Sequence, residues 1–503
     1  MEKRVLFAAL LSAIFLAFYS RALTKSLGGF PRYRQAVAAP QEAQAPAGHV
    51  GAPLIEPLEQ EEVITISSPA MSVEIGKASA AVRRVVLAKF QNGAKTGPLV
   101  FETGAPLLGV QAKGEQISWR VGHLEGAQVE MDGESSGNKY HILYHVDSDK
   151  QLLDIVIDHS NELNIISTWK SFNGATDRSN PLELISIFDQ SHKHKKIFGP
   201  VKEPKLVPRG TTLFTLSERY FCQVVRPGGG ITEGRAVPSE HGVLATLFQA
   251  PVKEQGKTEL SVYFGPKDYF YLQRAGLEEA IPIGMFGQIG LILLLALGWL
   301  GALFHNYGVA IIVLASTVTS LTAPFTILGM KSMKKMQELK PLVDKIMAEH
   351  KSDPTKANKK IFELYREHRV SPMSGCLPIL LQMPIFIALF QAISHYIELR
   401  GESFLWIKDL SMPDRLAQFS ISVPIIGNEI NLLPVLMAFA MAAQTKLSQA
   451  GTPQDPNNPT AKMFSGPLMA ILFGVMFYHI QSGLVLYWLT NTLTSLTWYK
   501  LAK

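Results

Sequence analysis

The stretch YGVAIIVLASTVTSLTAPFTILG, residues 307–329, runs for twenty-three residues without an Asp, Glu, Lys or Arg, and KSMKKMQELK follows at 331–340. A helix rises about 1.5 Å per residue, so this run is long enough to cross about 30 Å of hydrocarbon. The basic segment behind it continues through Lys345, Lys351, Lys356, Lys359, Lys360 and Arg366 to Arg369. A short loop this basic stays in the cytoplasm, which fixes the direction of the preceding crossing.

Further apolar runs flank it: Met285–Phe304, Met373–Ile397, Ile430–Leu447, Met463–His479 and Gly483–Tyr499. Glu398, Glu402, Asp409, Asp414 and Glu429 outnumber Arg400, Lys408 and Arg415 in one loop, while Lys446, Lys462, Lys500 and Lys503 sit at the opposite ends. Only His305 and Asn306 separate 285–304 from 307–329, so both cannot cross if the preceding domain is exported. The expected arrangement is an interfacial helix over 281–306, then a core over 307–503 with five transmembrane helices and a cytoplasmic helical hairpin at 331–369.

Upstream, Lys3 and Arg4 precede the apolar run Val5–Tyr19, as in a signal peptide or a short anchor. The bulky and charged Phe18-Tyr19-Ser20-Arg21 is no cleavage site, which favours an anchor over 1–25. Residues 26–62 read as a flexible linker, because Ala36–Glu62 is rich in Ala, Pro, Gln and Glu and offers little to bury. From 63 to 280 short alternating stretches such as Val63-Ile64-Thr65-Ile66 and Leu260-Ser261-Val262-Tyr263-Phe264 predict a large all-β sandwich on the exported side. The fold class is therefore a polytopic α-helical membrane protein carrying an exported β domain.

The net charge of +6 over 503 residues is concentrated in the basic segment, where it reads as a topology signal rather than a duplex-binding face. No sequence-specific nucleic-acid binding is expected. The two cysteines, Cys222 and Cys376, fall in different regions and make no disulfide framework. His192 and His194 share a strand face but sit among Lys193, Lys195 and Lys196, which disfavour a cation; no metal or cofactor is expected. The β region shows no nucleophile, base and orienter set, so an enzyme is not expected. No Asp or Glu lies within the spanning runs, and no inverted repeat is visible, which argues against a transporter.

Three groups of residues are candidates for function. In the basic segment Met330, Met333, Met336, Leu339, Val343 and Ile346 recur every three or four residues. Either this stripe packs inside the hairpin, or Met333 and Met336 offer an adaptable surface to apolar chains while Lys334 and Lys335 meet a ribosome or acidic lipid. Residues 307–329 carry Ser316, Thr317, Thr319, Ser320, Thr322 and Thr326, hydroxyls that either line a polar path or bond back to their own helix near Pro324. Gln382, beside Pro384, and Tyr487, Trp488, Thr490 and Asn491 in the last run complete the candidate lining.

SPMSGCLPILLQMPIFIALF, residues 371–390, closely resembles the hallmark of the YidC/Oxa/Alb membrane protein insertases. FLWIKDL at 404–410 and SGLVLYWLTN at 482–491 extend the resemblance over Tyr307–Lys503, and ERYF at 218–221 and YFGPK at 263–267 look like parts of the periplasmic domain of the Gram-negative branch. The resemblance implies a multi-pass protein of the bacterial inner membrane that acts without covalent chemistry. Its implied role is that of an insertase and chaperone for nascent membrane proteins, working alone or with the Sec translocon through a polar intramembrane groove. It also implies that 285–304 is an amphipathic interfacial helix. The family's groove usually holds an arginine five residues before the proline that here is Pro324, and this chain has Thr319 there. The chain thus departs from the family's pattern at the position of that fixed charge.

Overall fold

The computed structural model describes residues 61–501 apart from short breaks, the longest being 170–182, 371–376 and 450–466. The expected anchor, nearly all of the expected linker, His192 and the signature residues Ser371–Cys376 lie outside the described residues. Two compact units divide between Ile281 and Pro282.

The first unit is built from two nine-stranded antiparallel sheets. One has the order Val63–Ser67, Ser72–Gly76, Val82–Gln91, Leu108–Ala112, Leu163–Trp169, Leu244–Ala250, Glu233–Pro238, Lys205–Val207, with Pro98–Glu102 paired to Val82–Gln91. The other runs Lys193–Pro200, Glu183–Gln190, Thr211–Ser217, Phe221–Pro227, Gly256–Pro266, Leu152–His159, Asn138–Val146, Gln128–Ser135, Ser118–Glu125. Alternation supplies one buried face per strand: in Asn138–Val146, Tyr140, Ile142, Tyr144 and Val146 are buried while Lys139 and His145 are open. Ser136 and Gly137, both at positive φ, make the two-residue turn that joins this strand to Gln128–Ser135.

Aromatic rings fill the space between the sheets. Phe101 lies 5.1 Å from Trp169 in its own sheet and 6.1 and 5.9 Å from Phe221 and Phe264 in the other. Buried polar groups also bridge the layers: Ser167 Oγ donates to Gln223 Oε1 at 3.0 Å, and Tyr144 OH donates to the Ala80 carbonyl at 2.5 Å. Helix α1, Tyr269–Arg274, is capped by Asp268 and packs Leu272, with Leu277 and Ala280, against Leu213, Cys222, Val224 and Tyr263. Burial pushes the Cys222 thiol up to about 12, a shift that nearby Lys267 opposes.

The second unit is helical. Its helices are α2 (Gly287–Phe304), α3 (Tyr307–Glu338), α4 (Lys340–Glu349), α5 (Pro354–Glu367), α6 (Leu377–Ile393), α7 (Leu432–Gln449), α8 (Pro467–Met476) and α9 (Ser482–Leu501). Among the described residues, Gly287–Phe304 and Tyr307–Met336 are long and apolar enough to cross a membrane; Gln382–Ile393 and Leu432–Lys446 are shorter apolar helices. Three differences from the sequence reading stand out. Helix α3 does not end near Gly329 but continues to Glu338, since nothing before Pro341 breaks it. The loop after α6 holds a β-hairpin, Ala417–Val423 with Gly427–Ile430, in which Val423 pairs with Gly427. Helix α2, expected to be amphipathic, has Gln288 as the one amide on its open side, which otherwise carries Ile292, Leu295, Trp299 and Leu303.

Helix starts in this unit are tied down from elsewhere in the chain. Asp414 Oδ2 accepts from Leu432 N and Leu433 N at 2.8 and 2.9 Å, and from Trp406 Nε1 at 3.1 Å. At α9, Ser482 N donates to the Met412 carbonyl and Gly483 N to the Leu410 carbonyl, each at 2.8 Å. First-turn N–H groups have no partner within their own helix, so these contacts fix where α7 and α9 begin.

Candidate functional site

Pro324 and Pro384 lie inside α3 and α6. Each removes an N–H from its helix ladder, and for Pro324 the carbonyl released is that of Ser320. The expected hydroxyls therefore sit where α3 is already interrupted. Their partners lie mostly on α9.

Thr319 is buried, and its Oγ1 lies 2.6 Å from Asn491 Oδ1 and 2.7 Å from the Ala315 carbonyl. One hydroxyl proton cannot serve both oxygens. Turning the Asn491 amide so that its NH2 donates to Thr319, while the hydroxyl donates to Ala315, satisfies both contacts. Ser316 Oγ is 3.4 Å from Thr494 Oγ1, and Trp498 Nε1 donates to Ser320 Oγ at 3.2 Å. The partners in these pairs are 172 or 178 residues apart, so α3 and α9 run parallel in a steady register. Together they form a polar seam.

Two other hydroxyls of α3 bond to carbonyls of their own helix. Thr322 donates to the Val318 and Thr319 carbonyls, both at 3.1 Å, and Thr326 to the Thr322 carbonyl at 3.4 Å. From α6, Gln382 Nε2 donates to Tyr487 OH at 3.4 Å, which links a third helix to the seam. Thr490 is buried next to Asn491. Trp488, one of the candidates for the lining, packs among phenylalanines, its ring 4.7 Å from Phe386, 5.4 Å from Phe477 and 5.8 Å from Phe473. It completes a cluster joining α6, α8 and α9.

In the hairpin the structure buries Met336 against Leu339 and Val370, with Tyr365 beside them, so this methionine packs rather than lying open. Burial also raises the Tyr365 phenol above its ordinary value. Lys334 and Lys335 are exposed, and the side chain of Met333 lies outside the described residues. Among the described residues no group of three or more His, Cys, Asp or Glu is placed to hold a metal ion.

Sequence reasoning missed Thr494 and Trp498. A signal for them existed, since Asn491, Thr494 and Trp498 are spaced three and seven residues apart and fall on one helix face. What the seam offers chemically is a set of uncharged hydrogen-bonding groups, buried at Thr319 and Asn491 and open at Ser320.

The model of the 60Kd inner membrane protein family matches residues 299–501. A membrane protein insertase YidC from Endomicrobium trichonymphae is 37% identical over 290 residues, covering 56% of this chain and 54% of that protein. One from Geobacter metallireducens is 28% identical over 542 aligned positions, covering 99% of this chain and 97% of that protein. The match thus spans about half the length of several of these relatives and nearly all of another. A crystal structure of an active YidC insertase aligns with 88% of this chain and 94% of its own at 19% identity, with a TM-score of 0.38.

Proposed function

The chain belongs to the YidC/Oxa/Alb family, and from that premise we propose that it is an insertase and chaperone for nascent membrane proteins, using the α3–α9 seam as its polar path. In this reading α3, α6, α7, α8 and α9 cross the bacterial inner membrane, with α2 on the outer side and the β unit in the periplasm behind an N-terminal anchor. The hairpin 331–369 faces the cytoplasm, where its lysines meet the ribosome, and the Sec translocon hands over some clients. Two observations support the topology. The basic residues cluster on 331–369, and α3 and α9 run parallel, as the first and last of five alternating crossings must.

The observation that carries the mechanism is the buried Thr319–Asn491 contact. A charge at mid-bilayer costs about 2.5 to 3.5 kcal/mol on the insertion scale. An interhelical hydrogen bond in a membrane is worth roughly 1 to 2 kcal/mol at best. Parting α3 from α9 is therefore cheaper than passing a client's polar stretch through lipid, and Ser316, Thr319, Ser320 and Asn491 can then bond to that stretch. Gln382 and Tyr487 extend the lining, Thr490 and Thr322 border it, and Trp488 holds the apolar wall. No Lys or Arg lies between Arg274 and Lys331, so polarity without a fixed cation performs the task.

The test is depletion of the protein in its host, followed by protease accessibility of small one- and two-span membrane proteins. Their exposed loops should lose protease sensitivity on the periplasmic side. Normal insertion in a host without a second homologue rejects the proposal.

A further inference from the structure

The first turns of α3 and α9 meet at one loop, residues 399–414. A Cβ added at Gly308 would run into the ring of Phe404. One added at Gly483 would lie 3.1 Å from the Leu410 carbonyl oxygen, 3.4 Å from Ile311 Cδ1 and 3.5 Å from Leu399 Cδ1. Ile311 and Gly483 are separated by 172 residues, the same offset as Thr319 and Asn491. The register of the seam is therefore already set where α9 begins.

The loop is held by Asp414, which is 3% exposed and whose Oδ2 accepts from Trp406 Nε1 and from the first two N–H groups of α7. Asn431 precedes α7 and is of a type that ordinarily caps a helix, but its side chain is engaged elsewhere. Its Oδ1 accepts from Arg415 N at 2.9 Å, and its Nδ2 donates to the Tyr478 carbonyl at 2.8 Å. Loop and helix thus exchange caps: Asp414 satisfies the start of α7, and Asn431 fixes the end of the loop. From the loop so held, the Leu410 and Met412 carbonyls accept from Gly483 N and Ser482 N, and the Asp409 carbonyl accepts from Ser482 Oγ at 3.1 Å.

We infer that Asp414 is a positioning residue for the seam. By joining the loop to α7 it sets the height of the Leu410 and Met412 carbonyls, and these fix where α9 begins. The start of α9 in turn decides which of its residues faces Thr319. A slip of one turn moves α9 by about 5.4 Å along its axis and takes Asn491 out of reach of Thr319. What this means for clients rests on the reading of the seam as their path.

The experiment is disulfide cross-linking of the full chain in host membrane vesicles, with Cys222→Ser and Cys376→Ser throughout, Ser316→Cys on α3 and a cysteine at Thr490, Thr494 or Trp498 on α9. Thr494→Cys should cross-link about fivefold more than either neighbour, because a pair displaced by one turn lies outside disulfide reach. Asp414→Ala should abolish that preference, and Asp414→Asn, which keeps an accepting oxygen, should retain most of it. Met437→Ala removes a fully buried side chain from α7 without touching the loop and should leave the preference intact. An unchanged preference in Asp414→Ala, or an equal loss in Met437→Ala, overturns the inference. If Asp414→Ala does not accumulate in the membrane, Trp406→Phe, which removes one of the three donors, carries the test: it should weaken the preference, and an unchanged preference overturns the inference. Capture of a nascent chain from a probe at Ser320 separates the two readings. A lost register with undiminished capture removes the seam as the client path and leaves the role of Asp414, whereas an unchanged register with capture intact removes that role alone.

Discussion

In the β unit the large apolar side chains are inside, and among the described residues only Val63, Val121 and Leu124 are strongly open. In the helical unit Ile292, Leu321, Phe439, Ile471 and many others face outward, while Thr319, Thr490, Asn491 and Thr492 are buried. Both units bury hydrogen-bonded polar groups, as Ser167–Gln223 and Thr319–Asn491 illustrate. The difference therefore lies in the surroundings. One unit turns its apolar side chains inward and the other turns many of them outward, as the proposed bilayer placement requires.

The sharpest way to break this contrast is to empty the β core. Phe101→Ala should cost about 3 to 5 kcal/mol, the usual range for a buried aromatic ring, read as a lower denaturant midpoint from Trp169 fluorescence in the full chain. The adjacent ring of Trp169, 5.1 Å away, makes a direct reporter. A charge on the outward helical face ranks next. Leu321→Lys, at a 78% exposed position, should lose about 2.5 to 3.5 kcal/mol of membrane partitioning, measured as the fraction resisting alkaline extraction. The matching Val121→Lys in the β unit should change stability by no more than about 0.5 kcal/mol.

Within the seam, Thr319→Val keeps the shape and removes the hydroxyl, leaving Asn491 without its partner. It should cost about 1 to 2 kcal/mol in detergent unfolding, and Asn491→Leu placed beside it should recover much of the loss. A strictly additive pair would show that the two side chains do not communicate.

The smallest effect depends on pH. Cys222 has its folded thiol raised from 9.0 to about 12, so the folded state prefers the protonated form. The stability this provides is complete below the unfolded value and is lost as pH rises from about 9 towards about 12. By about pH 10 the loss should be about 1 kcal/mol by linkage, and Cys222→Ser should flatten that slope.

Long apolar runs made the helices legible, and alternation made the strands legible, because both patterns are local. The pairing of Thr319 with Asn491 is not local. Each residue stood out as a polar group in an apolar run, but which face of α3 meets which face of α9 is decided by packing over 172 intervening residues. The same limit explains Met336 and Trp488, whose spacing fits an open stripe or a core equally well. The extension of α3 to Glu338 was hidden by a change of composition: lysines replace leucines after Gly329 while the backbone continues unchanged. The apolar character of α2 was written in Ile289–Phe304 throughout.

The most direct test of the seam as the client path is site-specific photo-crosslinking to ribosome-bound nascent membrane proteins, with the probe at Ser320, Gln382 or Trp488 and, for comparison, at Leu291 on α2. The account predicts capture of the nascent chain from the first three positions and little from Leu291. Equal capture from all four, or capture from Leu291 alone, would contradict it.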